Sequence, residues 1–557
     1  MDAALISGVD AASTRLRCAA GQVRPSQLVE EACLRDISTE PGAVLARLSL
    51  LLAINGAVAR TLPFLGQSRG AWGGGRASRA CSAPSPPTSP SAEPAPTSAQ
   101  SKILGSIKGA VLASTKQSVL AAFLKATSTT AKKADDDYDY PPDLAVVQLN
   151  RLAAAASQSS ESPQRRFEAS VLGQLYAALH SKTAEALRIG YAHPMDDGQD
   201  RAFKVKFAGE GVDDYGGPYR EVFSQVDAPA FLEMHIFGLS QSLRRRLLPL
   251  FVPHADGETF TLPTCGSPLD HALDVYYFLG QLFGIALRSK VSLPMRLTPH
   301  FWKRLVGETR AFEDVDAASL LKRLWACASD AQVEALQVPR RAPTSDGSQV
   351  DLFSAAPRGA AAPVLKTLKE AELFGLVLAQ RRLCEADAAI SAVRNGLMSI
   401  VPPAALALFG PGDLERQICG EEEIDVDLLA RNTEYDEGLS PTDAHIEHFW
   451  AVLRGFGARR RDSDRAAFLR FVWARSRVPA AADGVLQQKF KIQASGENVE
   501  DADTFLPRAH TCFFSLNLPR YSTRHIMEQK LRYAIENCIE MDGDFKVTDD
   551  DPSAWVI

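Results

Sequence analysis

The chain's nine cysteines, at positions 18, 33, 81, 265, 327, 384, 419, 512 and 538, are the first residues whose chemistry can be weighed. A thiol is either a small buried hydrophobe or, as a thiolate, a nucleophile. The count is odd, no C-x-x-C pair occurs, and no cysteine clusters with histidines at zinc-ligand spacing. That usage points to a reducing compartment and leaves each thiol to be judged alone. Cys512 is set apart by its surroundings, LPRAHTCFFSLNLPRYSTRH over residues 506–525. Pro507 fixes one backbone dihedral of the incoming loop, and Thr511 to Leu518 has the composition of a buried strand. The thiol is therefore expected at the loop edge where that strand begins, within reach of a substrate. His510 shares a face with Cys512 if the strand geometry already holds, where it could polarise the thiol or orient an acceptor. Taken alone, Thr-Cys-Phe is more often a packed sheet cysteine beside a surface histidine, so the context decides.

Two other groupings invite a chemical reading. Gly209, Gly211, Gly216 and Gly217 could cradle a phosphate, but their spacing is neither G-x-G-x-x-G nor a P-loop. Turn glycines before a helix at Pro218 fit better. Asp213 and Asp214 could form a carboxylate pair, yet they precede the same helix, where the dipole favours negative charge.

The context of Cys512 is specific. Leu506-Pro507, the small Ala509, His510, Thr511-Cys512-Phe513, and then Leu516 to Ser522 (LNLPRYS) resemble the active-site signature of HECT ubiquitin ligases. FKVKFAGEGVDDYGGPYREVF (203–223) resembles the opening of that family's larger lobe, and LPMRLTPHFWKRLVGE (293–308) its middle. Residues 389–438 resemble the approach to the hinge, and FLRFVWARSRVP (468–479) the start of the catalytic lobe's core. The resemblance covers about residues 167–545 in family order. GEGVDDYGGPYRE and LRYAIENC look most like the large HERC-type members, whose repeat domains are not seen upstream.

The resemblance implies an α+β fold of two lobes, a mostly helical larger lobe over 167–434 and a small α/β lobe over 441–557, joined by a hinge at 435–440 with Gly438 as the flexible point. It implies that Cys512 carries ubiquitin as a thioester, flanked by His510, Thr511 and Phe513, and that no cofactor is needed. The implied partners are ubiquitin, a conjugating enzyme and protein substrates. The conjugating enzyme is expected on a subdomain at about 313–375, through exposed apolar side chains. There RRAPTSDGSQVDLFSAAPRGAAAPVLKTL (340–368) departs most from the family, with alanines in place of polar residues, so docking residues do not carry over individually. Phe545 in the tail is expected to pack between the lobes during transfer. Two other readings compete: an inactive HECT-fold scaffold, against which the presence of Cys512 argues, and a cysteine hydrolase, for which no nucleophile turn or His/Asn pair is recognisable.

The elements that must position Cys512 are legible as patterns. Ser267 and Pro268 predict a helix start, followed by Ala272, Val275, Tyr276, Leu279, Leu282, Phe283, Ala286 and Leu287 at helical spacing. Further helices are predicted over Ala371 to Leu397, over Asp443 to Phe456, and over Ser522 to Cys538 with Ile526, Leu531, Ala534 and Ile535 inward. A strand is predicted over Gln487 to Gln493. Upstream, residues 24–66 and Ile103 to Lys125 show helical periodicity, and 66–100 is a Pro/Ser/Gly-rich linker expected to be disordered. Residues 1–65, 66–100 and 101–166 are accordingly read as helical segment, linker and helical spacer, without chemistry of their own.

Composition agrees with this picture. At 557 residues the chain is too long for one compact domain. With 61 basic and 67 acidic residues it lacks the basic footprint of a nucleic-acid binder. The most apolar stretches are interrupted by Arg47 and Asn55, and by Asp274 and Gln281, so no membrane span is expected. The opening MDAALISGVDAASTRLR has no basic region before an apolar core, so the expected location is the cytoplasm, with the nucleus open.

Overall fold

In a computed structural model of the chain, the residues described are 50–60, 107–132, 140–157, 160, 162–193, 199–208, 217–226, 248–254, 259–262, 269–308, 315–343, 349–351, 364–384, 386–436, 438–457, 464–481, 484–486, 488–495 and 499–537. The fold is α+β. The first elements are α1 (Ala113–Ala126), β1 (Ala145–Leu149), α2 (Arg151–Ser157), α3 (Pro163–Ala169), α4 (Val171–Leu179), β2 (Phe203–Phe207) and α5 (Gly217–Gln225). The short strands β3 (Val252–Pro253) and β4 (Phe260–Thr261) precede α6 (Ala272–Ser289) and α7 (Pro299–Leu305). A separate unit follows: α8 (Val315–Trp325), α9 (Asp330–Ala335), the hairpin β5 (Arg341–Pro343) and β6 (Gln349–Asp351), and α10 (Leu368–Cys384). The chain then returns through α11 (Asp387–Ile400), α12 (Pro403–Leu406) and α13 (Pro411–Cys419). The last part contains α14 (Val426–Arg431), β7 (Thr433–Tyr435), α15 (Ala444–Gly455), α16 (Asp464–Trp473), β8 (Phe490–Ala494), β9 (Arg508–His510), β10 (Ser515–Leu518) and α17 (Arg524–Asn537).

Helix α6 is the axis of the larger lobe. The predicted stripe from Val275 to Leu287 is buried, but the helix begins at Ala272 rather than at Pro268. Ser267 and Pro268 lie outside the described residues, and His271 has φ 62°, a left-handed conformation that no helix interior accommodates. Helix α11 lies against α6 through glycines. A Cβ at Gly280 would sit 1.9 Å from the Val393 carbonyl oxygen, and one at Gly396 would sit 1.8 Å from that of Tyr277. The single helix predicted over Ala371 to Leu397 is divided at Ala386, whose ψ of 3° takes the backbone out of the helix. The two halves serve different cores: Ala371, Phe374 and Leu378 of α10 pack with Leu321, Leu324, Val333 and Leu365, whereas Ile390, Val393 and Leu397 of α11 pack with α6.

The segment expected to be a spacer is built into the larger lobe. Of the helix predicted over Ile103 to Lys125, residues 101–106 lie outside the description, Lys108–Ala110 is a 3-10 turn, and α1 begins at Ala113. Val119, Leu120, Phe123 and Leu124 of α1 join the larger core. β1 pairs in parallel with β2, from Ala145 opposite Phe203 to Leu149 opposite Phe207. The edge of the packed lobe therefore lies before residue 167, because β2 takes its ladder partner from upstream. Residues 50–60 are helical, with Val58 in the same core. Asn55 is buried but satisfied: its amide donates to the Leu51 and Ala110 carbonyls, at 2.7 and 2.9 Å, and its oxygen accepts from the Leu112 N–H at 2.7 Å. The 66–100 linker lies outside the described residues.

The smaller lobe is a four-stranded sheet in the order β7-β8-β10-β9 with helices packed on it. β10 is parallel to β8 and antiparallel to β9, and β7 is parallel to β8. Ile446, Phe449, Trp450 and Leu453 of α15 are buried as their spacing predicts. In α17 Met527 is the fully buried residue of the first turn, and the predicted Ile526 packs half-buried against the same core. The larger core ends at Cys419 and the smaller begins at Ile424, so the two part over residues 420–423. The hinge expected at 435–440 is not at that junction. Tyr435 pairs with Ile492, the Asp436 N–H donates to the Ile492 carbonyl, and the Trp450 indole N–H donates to the Tyr435 hydroxyl at 3.0 Å, all within the smaller lobe. No described helix is long and apolar enough to cross a membrane.

Candidate active site

Cys512 does not start a strand. β9 ends at His510 and β10 begins at Ser515, so Thr511, Cys512, Phe513 and Phe514 form the turn of a hairpin. The His510 carbonyl accepts from the Phe513 N–H at 3.1 Å, closing a β-turn with Cys512 as its third residue. The expected alternation of His510 and Cys512 on one strand face is thereby lost. Phe514 explains why the strand yields. It is fully buried with φ +48°, a costly conformation for a bulky side chain, and its ring stacks on Trp473 with centroids 3.9 Å apart and planes 3° from parallel. Phe514 turns in and the phenylalanine before it stays out: Phe513 is 45% exposed. Cys512 is half-buried and unbridged, Thr511 is half-buried, and His510 is exposed. Cys419, by contrast, is a packed hydrophobe at the end of α13.

The loop leading into β9 is clamped by residues just beyond β10. The Tyr521 hydroxyl donates to the Phe505 carbonyl at 2.9 Å. Asp503 accepts from both the N–H and the hydroxyl of Ser522, at 2.8 and 2.6 Å, and these bonds hold its carboxyl below the usual range. Tyr521 and Ser522 thus fix the entry of Leu506 and Pro507, and through it the hairpin that carries Cys512.

Two side chains reach the turn itself. The Gln488 amide donates to the Cys512 carbonyl at 3.2 Å while its oxygen accepts from the Trp473 indole N–H at 2.7 Å, all within the smaller lobe. From the larger lobe, Arg220 on α5 donates to the carbonyls of Thr511 and Cys512, at 2.7 and 3.0 Å. Arg220 is 1% exposed, and its helix is locked in place. Neighbouring Glu221 accepts from Arg151 at 2.7 Å and from Gln225, and Tyr219 bonds through its hydroxyl to Ser289 at 2.9 Å.

A second arginine crosses the other way. Arg475, just after α16, lies over Trp473 and donates to the Lys290 carbonyl and the Gln199 side chain of the larger lobe, at 3.2 and 3.3 Å. Burial and the nearby Arg220 guanidinium lower its pKa well below the ordinary value. Gln117 of α1 donates to the Ala480 carbonyl at 2.9 Å, and the preceding Lys116 pairs with Asp413. Between these ties lies a cavity of about 610 Å³, lined by Gln117, Leu124, Asp200, Arg220, Trp473 and Arg475 among others.

Nothing in the sequence by itself marks Arg220, Trp473, Arg475 or Gln488 as site residues. The first three stand inside GGPYREVF and FLRFVWARSRVP, stretches that carried the resemblance only as landmarks. Gly438 has φ +83° in a turn whose carbonyl accepts from Arg520, on the smaller lobe's side of the junction. Phe545, Asp213, Asp214 and three of the four glycines, 209, 211 and 216, lie outside the described residues; Gly217 opens α5.

Comparison with known proteins adds the chemical class. Residues 238–543 match the family described as HECT-domain (ubiquitin-transferase). The chain is similar to E3 ubiquitin-protein ligase HERC2 of Homo sapiens, 31% identical over 442 residues, which are 76% of this chain and 8% of that protein. It is similar to probable E3 ubiquitin-protein ligase HECTD4 of Homo sapiens, 30% identical over 372 residues, 60% of this chain and 9% of that protein. It is also similar to E3 ubiquitin-protein ligase HACE1 of Danio rerio, 29% identical over 294 residues, 51% of this chain and 32% of that protein. The chain thus spans a small part of the length of these relatives.

Proposed function

Because the chain belongs to the HECT-domain (ubiquitin-transferase) family, we propose that Cys512 accepts ubiquitin from a conjugating enzyme as a thioester and passes it to a lysine on a target protein. The observation that carries the reading is the half-buried Cys512 on a turn fixed by Phe514 beneath it and by the Gln488 hydrogen bond to its carbonyl. In the first step the Cys512 thiolate attacks the thioester carbonyl carbon on the conjugating enzyme. A new carbon–sulfur bond forms, the old one breaks, and the enzyme's thiolate leaves. In the second step a lysine amine attacks the Cys512 thioester and displaces that sulfur. The two thioesters are close in energy, so the exchange asks mainly for placement.

His510 and Phe513, exposed on either side of Cys512, are placed to meet the incoming partners. The unit from α8 to α10 is the proposed seat of the conjugating enzyme. It has its own core, yet Trp325, Leu373 and Leu376 are 57%, 51% and 57% exposed, an apolar surface of the kind that partner proteins cover. The junction at residues 420–423 is the proposed hinge, and tail residue Phe545 the proposed aromatic between the lobes. A reducing compartment, the cytoplasm, suits the unbridged thiol.

A gel-based thioester assay tests the reading, with activating enzyme, a panel of conjugating enzymes and labelled ubiquitin, on wild type and Cys512→Ala. A thiol-sensitive adduct on wild type alone is expected. Its absence with every conjugating enzyme would favour a non-catalytic scaffold.

A further inference from the structure

We propose that Arg220 is a positioning residue for the second half of the transfer, the step in which a lysine takes ubiquitin from Cys512; this rests on the reading of Cys512 given above. Gln488 and Arg220 both fix the carbonyl of Cys512, but from different lobes. The Gln488 bond persists however the lobes move, whereas the two Arg220 bonds exist only when the smaller lobe is docked. They come from a charged donor, which makes them stronger than neutral ones.

The guanidinium is delivered ready-made. Arg220 is 1% exposed on a helix whose residues 217–223 are all buried. That helix is anchored on one flank by the Arg151–Glu221 pair and on the other by Tyr219 and Ser289. Little side-chain freedom is left to lose when the turn arrives. Arg475 and Gln117 complete the docking from other directions, so that α1, the end of α6 and α5 together form a socket for the smaller lobe.

Two observations assign this docked arrangement to the second step. The thiol is not sealed: Cys512 is half-buried and its neighbours His510 and Phe513 are exposed, leaving a path for an amine. The docking contacts also run to the body of the larger lobe, while the proposed seat of the conjugating enzyme is the separately cored unit from α8 to α10. In the second step the lysine nitrogen bonds to the thioester carbonyl carbon. The carbon–sulfur bond breaks with its electron pair going to the Cys512 sulfur, and the amine's proton ends on that sulfur or in water. The thioester carbon moves with the turn, so a turn held by Arg220 presents it at a fixed place to a target lysine.

The test uses the full chain in two stages: the rate of Cys512 loading from a charged conjugating enzyme, then the rate at which the adduct passes ubiquitin to lysines of the chain and of added ubiquitin. Arg220→Gln is expected to slow the second stage about tenfold or more, from loss of a charged hydrogen-bond donor, and to leave the first within about twofold. Arg220→Lys, which keeps a cationic donor, should recover part of the loss. Equal slowing of both stages, or an unchanged second stage, would overturn the proposal. A readout free of ubiquitin is alkylation of Cys512 by iodoacetamide, followed peptide by peptide. Arg220→Gln should accelerate it, and an unchanged rate would overturn the latch even if wild type formed no adduct and the reading of Cys512 itself failed. Should Arg220→Gln not fold, Arg475→Gln removes the docking bonds from the opposite side and carries the same two expectations.

Discussion

Phe514 lies face to face with Trp473, the last residue of α16, and the stack holds the residue two positions after Cys512 in a left-handed conformation. Helix end and hairpin turn are thereby joined at one point, so the position of the thiol depends on a contact between residues 41 apart in sequence. Phe514→Ala is expected to cost about 3–5 kcal/mol of stability and to lower adduct formation at Cys512. Phe513→Ala, at an exposed position, should stay within about 0.5 kcal/mol. Urea denaturation of the two variants makes the comparison, and equal midpoints would refute it.

Gly420 is the next point of control. Its φ is +80°, and a Cβ there would lie 2.8 Å from the Val478 carbonyl oxygen and 2.9 Å from the Ser292 hydroxyl. Backbone conformation and space both exclude a side chain at the junction of the two cores. Gly420→Ala should lose about 1–3 kcal/mol and hasten alkylation of Cys512, because the lobes no longer dock as closely. A variant with wild-type melting and alkylation would show that the junction relaxes freely. Gly438→Ala has open space around it and strain only from its φ of +83°, so its effect should be the smaller of the two.

The apolar surface on α8 and α10 gives a prediction of a different kind. Leu376→Asp and Trp325→Asp change exposed side chains, so melting should barely move. If the conjugating enzyme sits there, loading of Cys512 should fall about tenfold or more, the effect of removing an anchor worth more than about 1.4 kcal/mol. Discharge of an adduct already formed should be unaffected. Normal loading by both variants would place the docking site elsewhere.

How much of this is legible in the sequence differs by element. The stripe of α6, the face of α15 and the family follow from periodicity and from a specific run of residues. The turn at Cys512 was not legible, because Thr511 to Leu518 reads as one strand until Trp473 is known to lie beneath Phe514. The junction at residues 420–423 is hidden in the sequence for a related reason. Tyr435 to Ser440 has the composition of a linker, and only the pairing of β7 with β8 assigns it to the smaller lobe. Residues 107–149 read as a spacer because their partners lie far along the chain, where Arg288 donates to the Leu124 carbonyl of α1 and the strand beginning at Phe203 pairs with β1. Arg220 and Arg475 are ordinary arginines in sequence and acquire meaning when each is found buried with main-chain carbonyls as acceptors.

His445 supplies a prediction in pH. It is 5% exposed on α15, and burial first, then the positive charges of Arg520 and His448, lower its pKa against the opposing pull of Asp443. The folded lobe therefore keeps the imidazole neutral to a lower pH than the unfolded chain does, whose histidine titrates near about 6.5. Below that pH the unfolded state takes up a proton that the folded state refuses, so stability falls as pH falls from about 6.5 toward the folded pKa. Above about pH 8 neither state is protonated and the contribution is flat. His445→Gln retains a polar side chain but cannot take up the proton. Its unfolding free energy should decline less steeply than that of wild type between about pH 7 and 5, by up to one proton of linkage. Parallel curves for the two proteins would mean that His445 titrates alike in the folded and unfolded chain.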